Sequence, residues 1–208
     1  MKITLYGASG MIGSRILEEL VSRGHAVTAV VRDPSKISRA GVAVRTGDVL
    51  DASSVAATAE GADAVISAYA PPPGAAETLV QAARTFVAAL PQAGVKRFLM
   101  VGGAGSLEVA PGLQLVDAPG FPEAWKGLAT AHRDAVPVLA ASDLDWTSFS
   151  PAAYIEPGAR TGKFRLGKDN LVTDEKGESR ISAEDYAIAM VDELENPRHI
   201  RQRFTAAY

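Results

Sequence analysis

The sequence contains no cysteine in 208 residues. This absence excludes a disulfide scaffold, a cysteine-ligated zinc site and a catalytic thiol. Histidine is also scarce, since His25, His132 and His199 are the only three in the chain. They lie too far apart in the sequence to predict a metal site, and we expect none.

An excess of positive charge and a long apolar run are also lacking. The chain carries 21 basic and 24 acidic residues, so we do not expect a nucleic-acid partner, which would require a basic surface. No run approaches the roughly 18 apolar residues of a membrane-spanning helix, and a strand-like run follows Met1 where a secretory signal would stand. We therefore expect a cytoplasmic protein, monomeric or homodimeric, that acts on a small molecule and not at a membrane.

Apolar residues make up 47% of the chain and charged residues 22%, which is typical of a globular protein. In the first hundred residues, short β-rich runs alternate with helical stretches. This alternation predicts an α/β fold with a doubly wound parallel sheet, a Rossmann fold. The predicted strands are 3–6, 26–31, 42–45, 63–69 and 97–101, and the predicted helices are 11–23, 53–59 and 76–93.

The alternation changes after Val101. A long loop rich in glycine and proline is predicted over 102–122, followed by a helix at 123–141 and a strand at 146–149. Ser182 to Asp185 forms a capping box, which predicts a helix to about residue 195, and a last strand is predicted at 203–207. We expect one domain, 1–208, in which the turn-rich residues from about 150 to 180 form a small substrate lobe.

The most specific motif stands between the first strand and the first helix. Glycines recur there every third residue, permitting a tight turn, close approach of a pyrophosphate and close packing of the helix on the sheet. The amide groups at the start of the helix would face the phosphates. The predicted cofactor-binding residues are Gly7, Ala8, Ser9, Gly10, Met11, Ile12 and Gly13.

Arg32 is the first polar residue after the second predicted strand. Dinucleotide sites carry an acid at this place for the ribose of NAD, or a base for the 2′-phosphate of NADP. We therefore predict NADP, with NADPH preferred over NADH and Asp33 facing away. A surface arginine held in a salt bridge is the alternative.

Two further strand ends carry candidate cofactor residues. Asp48 and Val49 follow the third strand, where an acid and an apolar neighbour could hold the adenine. Ala68, Tyr69 and Ala70 follow the fourth strand, where small residues let the backbone approach the cofactor. Each signal is weak alone, but open α/β sheets bind ligands at the carboxyl ends of their strands.

Three segments resemble the atypical short-chain dehydrogenase/reductases: 7–13, 31–36 (Val-Arg-Asp-Pro-Ser-Lys) and 46–51 (Thr-Gly-Asp-Val-Leu-Asp). Within that group the chain looks like the NmrA-like NAD(P)H-binding proteins and proteins described as NADH-flavin reductases, with biliverdin reductase B a more distant relative. The resemblance covers the whole chain. It implies further cofactor contacts at Gly102, Gly103, Pro151 and Ala153.

The sequence departs from the short-chain dehydrogenases at their Tyr-x-x-x-Lys pair. By spacing, Leu128 stands at the tyrosine position and His132 at the lysine position. The resembled flavin reductase implies a histidine and a serine in this region, which makes His132 and, more loosely, Ser106 candidate catalytic residues. Lys126 is a third candidate. Ordinary helix-surface roles are the alternatives for His132 and Lys126.

Phe121, Trp125 and Tyr154 are candidates for an aromatic substrate pocket. The expected function is an NADPH-preferring oxidoreductase that passes hydride to a flavin (FMN or FAD as substrate), a quinone or a similar flat acceptor, because this chemistry needs orientation more than a fixed acid. An NmrA-like redox-sensing regulator that binds NADP(H) without turnover is the alternative. The short chain and the missing pair disfavour an epimerase.

Overall fold

A computed structural model describes residues 1–208. The helices are α1 (Met11–Ser22), α2 (Ala52–Ala59), α3 (Thr78–Ala89), α4 (Glu123–Ala140) and α5 (Ala183–Glu195). The strands are β1 (Lys2–Tyr6), β2 (Ala26–Val31), β3 (Ala43–Thr46), β4 (Ala64–Ser67), β5 (Arg97–Val101), β6 (Glu108–Ala110), β7 (Leu113–Gln114), β8 (Asp145–Ser150), β9 (Tyr154–Glu156), β10 (Arg165–Gly167), β11 (Arg180–Ser182) and β12 (Gln202–Ala207).

Eight strands form one sheet in the order β10-β12-β8-β5-β4-β1-β2-β3. All neighbours are parallel except β10, which runs antiparallel to β12 at one edge. The strand order reverses between β1 and β4, and this is the place where open α/β sheets bind their ligands. The predicted α/β class with a parallel, Rossmann-like sheet is confirmed.

Helices cover both faces of the sheet. Helix α1 packs with α5 on one face, while α2, α3 and α4 pack on the other. Residues of β1 alternate between the two cores, with Ile3 and Leu5 in one and Tyr6 in the other. A strand buried on both faces has no polar side, which explains why the central strands are nearly continuous apolar runs.

The structure differs from the predicted elements in several places. Helix α3 ends at Ala89 and not at Ala93, since Pro91 supplies no amide to continue it. The predicted loop at 102–122 contains two 3-10 turns (Ala104–Ser106 and Leu115–Asp117) and the small antiparallel pair β6–β7. The third predicted strand lies one residue later, at Ala43–Thr46.

Residues 151–182 include the parallel pair β9–β11 and lie against the first helix. Arg160 makes two hydrogen bonds to the buried Glu19 of α1, at 2.8 and 2.9 Å. Glu184 pairs with Arg15 of α1 at 3.1 Å. Arg160 thus fastens the predicted substrate lobe, and Glu184 fastens α5, to the helix that follows the glycine motif. No helix of the fold is both long and apolar enough to cross a bilayer.

Candidate nucleotide site

The glycine turn, residues 7–13, connects β1 to α1. Its backbone contacts leave no room for a side chain at the first and last glycines. Gly7 has a φ of +75°, and a Cβ built on it would lie 2.3 Å from the carbonyl oxygen of Ala68. A Cβ on Gly13 would lie 2.1 Å from the carbonyl oxygen of Gly7. Any side chain at either position would displace backbone, so the turn closes against the end of β4 only with glycine.

Gly10 occupies the N-cap position of α1 and provides no side-chain hydrogen bond to the first turn. The amide groups that begin a helix have no partners within it. Here the turn that presents them, with Ser9, Gly10 and Met11 exposed, lies at the carboxyl end of the central strands. An uncapped helix N-terminus in this position can hold the phosphates of a dinucleotide.

Arg32 and Asp33 differ in their surroundings after β2. Asp33 caps a short 3-10 turn, and one of its carboxylate oxygens accepts hydrogen bonds from the amide and hydroxyl of Ser35, at 3.1 and 2.7 Å. These bonds hold the pKa of Asp33 below its usual value. Arg32 is exposed and has no acidic partner. The acid is thus bound to its own turn, while the guanidinium is available to a ligand.

The candidates after β3 hold their own turn. The Asp48 carboxylate accepts a hydrogen bond from the Leu50 amide, and the Asp48 amide donates to the Ser54 hydroxyl, both at 2.9 Å. Val49 is buried in the core beneath α2 and α3. Asp48 is exposed, so its second carboxylate oxygen remains open to an adenine.

After β4, Ala68 lies against the glycine turn as described, and Ala70 is exposed. The hydroxyl of Tyr69 is 2.9 Å from the Thr78 hydroxyl at the start of α3. Tyr69 is therefore fixed against α3, and the backbone of Ala68 is the part of this segment closest to the turn.

Gly102 and Gly103 follow β5 at the carboxyl edge of the sheet, beside α4, and are called the floor below. A Cβ on Gly102 would lie 3.0 Å from the Ser148 hydroxyl, and one on Gly103 would lie 2.8 Å from Cβ of His132. The two glycines let β8 approach from one side and His132 from the other. Gly103 thus packs directly against the His132 side chain on α4.

His132 has no hydrogen bond to the protein at either ring nitrogen, and its Nδ1 atom is buried without a partner. Burial lowers the pKa of His132 to about 4. The imidazole is therefore neutral at physiological pH. It can orient a ligand through its ring nitrogens, but it is not the imidazolium that a general acid requires.

The Ser106 hydroxyl is not open to a ligand. Ser106 is buried, and its hydroxyl accepts a hydrogen bond from Nη1 of Arg203 at 2.8 Å. Nη2 of the same guanidinium donates to Asp169 at 2.6 Å. These bonds anchor the 104–106 turn on β12, and the chemical role that the resemblance implied for Ser106 stays a prediction.

The remaining candidates are exposed or half-buried side chains. Lys126 is exposed, 3.8 Å from Glu123 on the first turn of α4. Trp125, beside it, is 66% exposed, and Tyr154 on β9 is 65% exposed, while Phe121 is half-buried. Large aromatic side chains with this exposure are available to stack on a flat ring.

Two candidates follow β8. Pro151 is buried and has no amide hydrogen, and the Ala153 amide donates to the Ser179 hydroxyl at 3.1 Å. Neither backbone amide is therefore available to a cofactor. Ser179 joins this segment to the strand before α5, and nothing nearby in the sequence marks such a distant contact.

A cavity of about 510 Å³ opens beside the glycine turn, on the outer side of α1. Ala8 and Ser9 line it at one end, and Lys36 and Arg39 line it from the loop after β2. Glu18, Glu19 and Glu184 also line it, and Arg32 does not. The only sequence signal for it is the clustering of cations after β2.

A family model described as NAD(P)H-binding matches residues 7–197. The chain belongs to the NAD(P)H-binding family. Its match begins at the first glycine of the turn and extends through α5, so both the cofactor half and the 151–182 segment belong to the family pattern. The resemblance seen in the sequence is confirmed at this level.

Three solved structures of similar proteins match along the full length of this family member. It is 56% identical to a candidate exported protein from Burkholderia pseudomallei, with a TM-score of 0.93 and 100% of both chains covered. It is 46% identical to a candidate epimerase from Bacteroides thetaiotaomicron (TM-score 0.94; 100% of this chain, 96% of that one). It is 38% identical to a candidate NADH-flavin reductase from Streptococcus pneumoniae (TM-score 0.90; 100% and 99%). The fold is common to all three, although their descriptions differ.

Proposed function

We propose that this NAD(P)H-binding protein is an NADPH-preferring reductase that transfers hydride to a flat acceptor, a flavin such as FMN or FAD, or a quinone. The observation that carries the proposal is the uncapped glycine turn beside an unpaired Arg32. The turn supports a dinucleotide, and the arginine supports its 2′-phosphate. The likeness to the Streptococcus protein favours a flavin as the acceptor.

The surroundings of His132 favour an acceptor that needs no acid from the protein. Leu128 and His132 stand where a short-chain dehydrogenase has its tyrosine and lysine, and the imidazole is neutral. Reduction of a carbonyl, or epimerisation, would require a positioned proton donor or base. Hydride transfer to a flavin ring requires stacking and orientation, and water can supply the later proton. Trp125 and Tyr154 provide exposed faces for such stacking.

The partners and the location belong to the same proposal. We infer a small-molecule substrate, no nucleic acid, a monomer or homodimer, and a place in the cytoplasm. The Burkholderia relative described as an exported protein gives a reason to measure the location directly, by fractionating cells that express a tagged chain.

Purified protein should oxidise NADPH in the presence of FMN, riboflavin or a soluble quinone, followed by the loss of NADPH absorbance. We expect turnover with at least one of these acceptors and weaker activity with NADH. Tight NADPH binding by calorimetry with no turnover on any acceptor would contradict the reductase and favour the redox-sensing regulator. Failure to bind either nucleotide would contradict the whole proposal.

Replacing His132 with alanine should reduce activity about tenfold, mainly through the KM for NADPH, because the neutral ring orients a ligand and supplies no proton. The pH profile of the wild type should show no limb near the ordinary imidazole pKa of about 6.5, since burial lowers the pKa of His132 to about 4. Steady-state kinetics measured at about every half pH unit between pH 5 and pH 8 test both expectations. A general acid would instead contribute about 10²- to 10⁴-fold to kcat, and a loss of that size would point to a carbonyl acceptor.

A further inference from the structure

Tyr186 is a fully buried phenol on α5 that the proposed chemistry does not use. Its hydroxyl donates a hydrogen bond to the carbonyl oxygen of Phe149, at 2.6 Å. Its ring stacks on the ring of the same phenylalanine, with centroids 4.0 Å apart and planes within 2°. Both ends of the Tyr186 side chain therefore act on one residue of β8.

The Phe149 carbonyl is also where β8 meets the floor. The amide of Gly102 donates to this oxygen at 2.7 Å. The next residue, Gly103, lies directly against His132. One carbonyl thus receives the phenol from α5 on one side and the first floor amide on the other.

The phenol is a permanent donor in this arrangement. Burial raises the pKa of Tyr186 well above its ordinary value, so the hydroxyl keeps its proton at neutral pH. A buried carbonyl has two lone pairs, and a partner on each fixes its direction more closely than one partner does. The direction of the Phe149 carbonyl fixes the position of the Gly102 amide relative to β8. The position of Gly103, the next residue, depends on it.

We propose that Tyr186 is a positioning residue that holds the Gly102–Gly103 floor, and the His132 ring on it, through the carbonyl of Phe149. The inference rests on the proposed function and adds the premise that the nicotinamide ring of NADPH lies over this floor. A floor displaced by a few tenths of an ångström changes the distance over which hydride moves, and reaction rates depend steeply on that distance. Binding of the adenosine half, some strands away, does not depend on it.

Tyr186→Phe keeps the ring stack and removes only the hydroxyl. We expect the hydride-transfer rate constant in single-turnover kinetics with NADPH and FMN to fall about tenfold, with the Kd for NADPH changed less than about twofold. Tyr6→Phe is the matched control, because the Tyr6 phenol is equally buried and bonds to Thr58 on α2 at 2.7 Å. It should lose comparable stability and keep the rate constant.

The amide resonances of Gly102 and Gly103, measured by NMR without any substrate, report the position of the floor independently of the reaction. They should shift in Tyr186→Phe and stay in place in Tyr6→Phe. If Tyr186→Phe does not fold, 4-fluorophenylalanine at position 186 is used instead, because its fluorine fills the volume of the hydroxyl without being a donor. The same resonance shifts are expected. Unmoved glycine resonances, or a rate constant equal to that of the wild type, would overturn the role of Tyr186. A wild type that reduces no acceptor would overturn the proposed function, while the resonances still decide the floor.

Discussion

Gly10→Val should abolish NADPH binding and leave the fold intact. In the unliganded protein a Cβ at this position meets only the Gly7 carbonyl oxygen, at 3.3 Å. The backbone of Gly10 is extended, with φ −77° and ψ 171°, which a β-branched residue adopts readily. The added side chain would instead occupy the space in which the pyrophosphate lies. We expect at least a hundredfold loss in affinity, or about 2.7 kcal/mol, by calorimetry.

Gly10→Ala and Gly127→Ala serve as controls for this experiment. Alanine adds one methyl group at position 10 and should weaken binding less than valine does. Gly127 is exposed on α4, where a Cβ would come no closer than 3.9 Å to its nearest neighbour, so its replacement should leave affinity unchanged. Gly7 and Gly13 are unsuitable, because side chains there would break the turn itself. Unchanged NADPH affinity in a folded Gly10→Val protein would contradict the nucleotide assignment.

Most of the fold could be predicted from the sequence, because local signals and the global arrangement agree. The apolar runs of β1, β2 and β5 are typical of strands buried on both faces, and those strands are central in the sheet. Ser182 caps α5 as predicted, with its hydroxyl accepting from the Asp185 amide at 3.0 Å. The reciprocal bond of a capping box is not formed, because the Ser182 amide donates to the Tyr208 hydroxyl at 3.0 Å. Periodicity and capping depend on neighbouring residues and are therefore visible in a single sequence.

The parts that could not be predicted depend on contacts between distant residues. Arg203 donates a hydrogen bond to Ser106 across 97 positions. This contact holds the 104–106 turn on β12. The edge strand β10 pairs antiparallel with β12 at the end of the chain, far from it in the sequence. The burial that makes His132 neutral also depends on packing against Gly103, on another element. No local pattern carries such information.

Arg32→Ala should weaken NADPH binding by about 10- to 150-fold and leave NADH binding nearly unchanged. The guanidinium has no acidic partner within the protein, so no intramolecular bond competes with the 2′-phosphate for it. A hydrogen bond to a charged group contributes about 1.5–3 kcal/mol, which corresponds to that range of affinity. NADH lacks the phosphate and loses nothing. Calorimetric Kd values for both nucleotides in the wild type and in the variant measure the effect.

Arg45→Ala separates this specific contact from a general loss of positive charge. Arg45 lies on the neighbouring strand β3, is exposed, and donates to the Ala57 carbonyl at 3.2 Å. Its removal should alter the affinities for NADPH and NADH only slightly and to a similar extent, since a screened charge at the surface acts weakly. The NADPH to NADH ratio should therefore collapse in Arg32→Ala alone. A wild type that prefers NADH would show that Asp33 binds the ribose despite its bonds to Ser35, because an acid at that place selects the unphosphorylated cofactor.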